Sequence, residues 1–275
     1  MEKIQIVTDS TGYISKAYAD EHHIQVLPLS VHLSGETMEE GYPGEFEDFF
    51  RRLSSSEDFP KTSQPSVESF VEVFEEAVRQ GKEVIAIVIS SKLSGTYNSA
   101  SAAARMVDPE KIRVIDSQTS VSNLRFLVEK AHKLAQSGMP SQEIARHIEA
   151  ARDRMGIRLT VDTLEYLRRG GRLSGAQAYI GNILNIKPVI GLVDGALVSI
   201  SKTRGKNKAI ELIMADIPRE VERISICHIM NGEEARSIQS ILQERFPKAA
   251  ISIDDIGPVI GSHLGPRAIG ICYMW

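Results

Sequence analysis

The first apolar run of the chain, Ile4 to Val7, is short and unbroken, and it ends in Thr8-Asp9-Ser10-Thr11-Gly12, after which a helix starts near Ser15. Such a run closed by turn residues predicts a buried strand, a polar turn and a helix. The order recurs at Val84 to Ile89, which leads through the turn Ser90 to Thr96 into helical spacing at Tyr97, Ala100, Ala104 and Val107. It recurs again at Arg113-Val114-Ile115, closed by Asp116-Ser117 and followed by helical segments over Val121 to Ala135 and Ser141 to Arg152. Between these, Val26 to Leu33 reads as one strand and Glu45 to Leu53 as a short helix behind Pro43-Gly44. Val67, Phe70, Val71, Phe74, Ala77 and Val78 recur at helical spacing, and Pro65 suits a first helical turn, which puts Thr62 and Ser63 at a helix mouth. Alternating strands and helices over the first ~150 residues imply a mostly parallel sheet with helices on both faces.

The pattern then changes. Ile157, Leu159 and Val161 alternate as a half-buried strand, and Val189 to Val193, Asp194-Gly195 and Ala196 to Ile200 predict a hairpin with a two-residue turn. Ile224 to Ile229, a helix over Glu233 to Phe246, Ile251 to Ile253 and Ile269 to Met274 complete a second half of α+β type. The expected fold class is therefore α/β, with an N-terminal parallel-sheet domain over 1–155 and a C-terminal α+β domain over 156–275 carrying a mainly antiparallel sheet.

Composition narrows the function classes. The 275 residues carry a net charge of −4, with 32 basic and 36 acidic residues interspersed, which argues against a dedicated nucleic-acid binder. The two cysteines, Cys227 and Cys272, belong to no metal-spacing motif, so neither a zinc site nor a disulfide framework is expected, and no cofactor is implied. Met1-Glu2-Lys3 does not open a signal peptide and no apolar run nears a membrane span, so a cytoplasmic location is expected.

Chemistry concentrates in the turn at Ser94-Gly95-Thr96. The first N–H groups of a helix lack intrahelical partners and carry the positive end of its dipole, so this turn suits an anion. The alternative is that Ser94 merely caps the helix, a role worth ~1 kcal/mol. A phosphate-binding G-x-x-x-x-G-K-[ST] loop is absent, and no G-x-S-x-G elbow of a serine hydrolase occurs in a strand-turn-helix context. Ser10, Ser117 and the Ser90 to Thr96 turn all fall at strand ends of one expected parallel sheet, where α/β folds bind ligands. They offer neutral donors suited to a carboxylate or phosphate oxygen pair, without the acidic cluster that holds Mg²⁺.

"VTDST" at Val7 to Thr11, "TSQPS" at Thr62 to Ser66, "SSKLSGTYNSA" at Ser90 to Ala100, "VIDS" at Val114 to Ser117, "DTLEYLRRGGRLSG" at Asp162 to Gly175, "LNIKPVI" at Leu184 to Ile190 and "GPVIGSHLGP" at Gly257 to Pro266 together resemble the DegV family of bacterial fatty-acid-binding proteins. Seven motifs in family order cover essentially the whole chain. The resemblance implies a bound long-chain fatty acid whose carboxylate is held by Thr62, Ser94 and Gly95 with neighbouring polar groups, His263 and Arg204 among them. It also implies a separate ATP-dependent fatty acid kinase as partner. Arg267 departs from the small residue often found there in relatives.

Arg168, Arg169 and Arg172 lie in a basic stretch that reads as a solvated face or as a docking surface for an acidic partner or a transient membrane contact. Three classes of function stay open: a non-catalytic carrier that presents a fatty acid to the kinase, a lipid-sensing regulator without a kinase, and an acyl hydrolase or transferase using Ser94 with His263 as base.

Overall fold

The computed structural model describes residues 3–173 and 186–275. Gly175 of one expected motif and Leu184 of another lie outside the described residues. In chain order the first half runs β1 (Ile4–Asp9), α1 (Lys16–Glu21), β2 (Gln25–Leu27), β3 (Ser30–Leu33), β4 (Glu36–Glu39), α2 (Glu47–Ser55), β5 (Lys61–Ser63), α3 (Val67–Arg79), β6 (Glu83–Val88), α4 (Thr96–Val107), β7 (Ile112–Asp116), α5 (Val121–Gln136) and α6 (Ser141–Arg152). The second half runs β8 (Met155–Thr160), α7 (Glu165–Gly170), β9 (Ile186–Val193), β10 (Ala196–Arg204), α8 (Lys206–Ala215), β11 (Arg223–His228), α9 (Gly232–Arg245), β12 (Ala250–Asp255), α10 (Pro258–Leu264) and β13 (Ile269–Met274).

Four strands form the expected parallel sheet in the order β2-β1-β6-β7. Their apolar side chains alternate between faces. Ile6, Ile85, Ile87 and Ile115 pack with residues of α1, α5 and α6, whereas Val7, Val84, Ala86 and Val88 pack with Phe70 and Phe74 of α3 and the alanines of α4. The unbroken apolar runs are thus explained by a sheet buried on both sides.

Six strands form the second sheet, in the order β10-β9-β8-β13-β11-β12, and every pairing is antiparallel except β11 with β12. The β9–β10 hairpin turns at Asp194-Gly195, both with positive φ (48° and 79°), as a two-residue turn of this type demands. One face of the sheet packs against α8 and α9; the other presents Ile157, Leu159, Ile190, Leu197, Cys227 and Cys272 to residues of the first half.

Two expectations are corrected. Val26 to Leu33 is two strands, because Pro28 has no N–H to give a ladder and the chain leaves the parallel sheet there. The segment after it joins a third, antiparallel sheet, β4-β3-β5, that periodicity over such short strands does not announce. Thr62 and Ser63 therefore lie on β5, not at a helix mouth. Helix α3 begins only at Val67, with Ser66 as its cap accepting from Ser69 N at 3.1 Å and Pro65 outside it.

Candidate functional site

An apolar slot lies between the inner face of the six-stranded sheet and the C-terminal edge of the parallel sheet. Leu29, Ile89 and Val121 line it from the first half, and Ile157, Leu197 and Val259 are among those lining it from the second. The space open to the centre of a water-sized sphere is about 80 Å³, several times the ~10–15 Å³ that one water needs by that measure.

Polar groups gather at one part of its wall. Thr62, Ser63 and Gln64 reach it from β5 and the turn after it, Ser94 from the turn before α4, Arg172 from behind α7, and His263 from α10. Ser63 and Gln64 are exposed and Thr62, Ser94, Arg172 and His263 half-buried, so this polar part is the open mouth.

Thr62 Oγ1 and His263 Nε2 lie 2.9 Å apart. Burial, and after it the Arg172 guanidinium, push His263 down to about 4, so the imidazole is neutral at physiological pH. A hydroxyl can donate and accept at once, so Thr62 can bond His263 on one side and a ligand oxygen on the other. His263 Nδ1 is packed against Gly170, where any side chain would collide with the ring, and finds no hydrogen-bond partner among the described residues. Arg172 donates from Nη1 to Gly170 O at 2.6 Å and from Nε to Leu93 O at 3.3 Å, which fixes the guanidinium beside the mouth while further N–H groups of the fork remain.

Ser94 does not occupy the helix cap. Gly95 does, with φ −74°, while Ser94 Oγ lies 2.9 Å from Thr96 Oγ1 and accepts from Thr96 N at 3.4 Å. A Cβ on Gly95 would come within 2.5 Å of Gln64 Nε2, so the absent side chain is what admits the Gln64 amide to the start of α4. Thr96 is buried beneath this turn.

The structure thus brings Thr62, Ser94, Gly95, Thr96 and His263 together and separates three other expected residues from them. Ser10 is buried away from the slot, donating to Glu40 Oε2 at 2.6 Å and accepting from Leu29 N at 3.1 Å. Ser117 closes a local turn with Thr119 N and O, and Ser90 donates to Gly195 O at 2.7 Å. Asp9 accepts from Ile89 N at 2.7 Å and Asp116 from Ser91 N at 3.1 Å. The strand-end turns are therefore largely stitched to one another, and the turn before α4 contributes Leu93 and Ser94 to the slot. Arg204 is exposed at the end of β10 and does not line the slot, because the inward positions of that edge strand fall on other residues.

The three arginines also part company. Arg168 and Arg169 are exposed and pair with Glu165 at 2.8 and 2.5 Å, whereas Arg172 lines the slot. Hydrogen bonds from Arg168 and Arg169 hold the Glu165 carboxyl down at about 2. The basic stretch is largely neutralised, since Asp162 also pairs with Lys187 at 2.9 Å. Sequence reasoning missed Ser63, Gln64 and Ser120 as lining residues. For Gln64 a signal existed in "TSQPS"; nothing marked Ser120.

A family model described as "Uncharacterised protein, DegV family" matches residues 3–275. A DegV domain-containing protein of Halalkalibacterium halodurans is 37% identical over 279 residues, covering 99% of each chain. The chain is similar to the crystal structure of DegV from Bacillus subtilis, described as a fatty acid binding protein, with a TM-score of 0.89, 35% identity and full coverage of both chains. It is also similar to a stearic acid-binding protein from Eubacterium ventriosum, with a TM-score of 0.87 and 28% identity over 100% of this chain and 98% of that one.

Proposed function

The chain belongs to the DegV family, and from that premise we propose that it binds a long-chain fatty acid, with the carboxylate at Thr62, Ser94 and the start of α4 and the hydrocarbon in the slot. The observation that carries this reading is the pairing of an apolar slot with a mouth built of neutral donors and one guanidinium. About fourteen buried methylenes at ~0.8 kcal/mol each supply roughly 11 kcal/mol before entropy losses, so the chain provides affinity and the mouth provides orientation. The halves 1–155 and 156–275 act as two domains that each contribute one wall.

Within that reading the protein is a carrier that presents the carboxylate to a separate ATP-dependent kinase for acyl-phosphate formation. Exposure of Ser63 and Gln64 at the mouth supports presentation of the head to a partner. The hydrolase alternative loses support from geometry: His263 Nε2 faces Thr62 and not Ser94, and an imidazole held down to about 4 is a weak base. A lipid sensor without a kinase would use the same pocket.

Mass spectrometry of lipid released from the denatured purified protein tests the first step. A free fatty acid is expected; a covalent acyl adduct on Ser94 would favour the enzyme, and no lipid with no uptake of added stearate would end both carrier and sensor. Acyl-phosphate formation with a kinase partner separates these two.

A further inference from the structure

Glu40, just beyond β4, is buried to 4% exposure with no basic partner among the described residues, and it joins three parts of the fold. Its Oε2 accepts from Ser10 Oγ at 2.6 Å, behind the end of β1. Its Oε1 accepts from Val259 N at 2.8 Å, in the first turn of α10, and Tyr13 OH stands 3.4 Å from the same oxygen. The chain is shaped around the carboxyl: a Cβ on Gly257 would lie 2.6 Å from Glu40 Oε1 and would also strike Tyr13 and Phe46. Helix α10, held at its start by this bond, supplies Val259, Ile260, His263 and Leu264 to the slot.

We infer that Glu40 is a positioning residue for the ligand site: its carboxyl seats α10 against the first half of the chain, and because a carboxylate buried there without a cation is costly, ionisation favours opened forms in which the group reaches water and so lowers affinity for the acyl ligand. The groups facing it make ionisation costly. Asp9, from the end of β1, is a buried acid; Tyr13, after the following turn, is neutral; α10 offers one backbone N–H, and the neighbouring ring is Phe46, just before α2. Burial, with the Asp9 charge adding to it against the Ser10, Val259 and Tyr13 hydrogen bonds, raises the Glu40 carboxyl to about 7. The change of charge therefore falls inside the ordinary working range. Neither His263, held to about 4, nor a typical fatty acid carboxyl at ~4–5 titrates there.

The inference rests on the fatty-acid reading above for its ligand, and its test has an arm that does not. In the first arm, stearate affinity is measured between pH 6 and 8.5 for the wild type and Glu40→Gln. The amide keeps an oxygen to accept from Val259 N and cannot ionise; its NH2 replaces Oε2 opposite Ser10 Oγ, which must then accept where it now donates. The wild type is expected to weaken at least threefold as pH rises, and Glu40→Gln to stay flat near the wild-type value at pH 6. A parallel slope in the two proteins, or a flat wild type, overturns the inference. In the second arm, amide exchange over α10 of lipid-free wild type is compared at pH 6 and 8.5 after correction for the intrinsic rate. Protection lost at the higher pH supports the seat even if stearate does not bind and even if the variant fails to fold. Unchanged protection overturns it.

Discussion

Thr62 Oγ1 on the edge strand β5 and His263 Nε2 on α10 meet at 2.9 Å although 201 positions separate them in the chain. The mouth of the slot therefore exists only where the two halves are docked, with Thr62 and His263 each held from the opposite half. That arrangement makes the mouth separable by substitution from the slot behind it.

On the proposed reading, Thr62→Ala and Ser94→Ala each remove a donor from a partly buried carboxylate. Each is expected to weaken stearate binding by ~1–3 kcal/mol, roughly fivefold to 150-fold, with little change in thermal stability. Titration of the folded single and double variants checks this; unchanged affinity in the double variant would place the carboxylate elsewhere.

His263 gives a pH signature. Its folded value of about 4 lies below the ordinary 6.5, so on acidification the unfolded chain takes up the proton first. Its stabilising share is whole above about pH 6.5 and is lost as pH falls towards 4, by up to ~3 kcal/mol. Urea unfolding of wild type and His263→Gln from pH 7 to 4.5 should show the wild type losing more; equal losses would mean the ring is solvated in solution. Glu40 moves the opposite way over a similar range, which is why the comparison must be a difference between proteins.

Arg168 and Arg169 should be dispensable for the lipid. Their joint reversal to Glu is expected to leave stearate affinity within about twofold, the pairs with Glu165 being exposed. Arg172→Met should lower affinity and raise the His263 proton affinity, read by NMR titration of the ring, because the guanidinium at the mouth is gone. Loss of binding in the first variant would show that α7 itself depends on the two pairs.

Gly95→Ala displaces the Gln64 amide from the start of α4. The effect on affinity should match that of Gln64→Ala, and the double variant should be no worse than either single, since both remove one contact. Additive losses would show that Gly95 acts on the ligand directly.

Most of the parallel sheet was legible because a strand buried on both faces has nowhere to put a polar residue, as Val84 to Ile89 shows. The hairpin was legible from Asp194-Gly195, whose conformation few other pairs adopt. The three-stranded sheet was hidden since β3, β4 and β5 are only three or four residues long, too short for a period to register. Within the site, Ser94 and Gly95 could be found from helix chemistry, and Thr62 and His263 from family motifs. Arg172 was misread as surface beside Arg168 and Arg169 because the left-handed turn at Gly171 (φ 68°), which redirects the chain after α7, is not a charge pattern. Glu40 gave no signal at all: an acid among "EEGYPGE" looks solvated until its three distant partners are known.

The slot between the two halves has a bearing on protein turnover. A ligand that touches both walls binds only the completed fold, and it adds RT ln(1 + [L]/Kd) to the free energy of unfolding, ~2.7 kcal/mol at a hundredfold excess over Kd. Partially opened forms, in which α10 has left β5, gain nothing from it. Proteolysis that samples such openings would then clear empty molecules faster than filled ones, so the amount of protein present would follow the supply of its ligand with no change in synthesis.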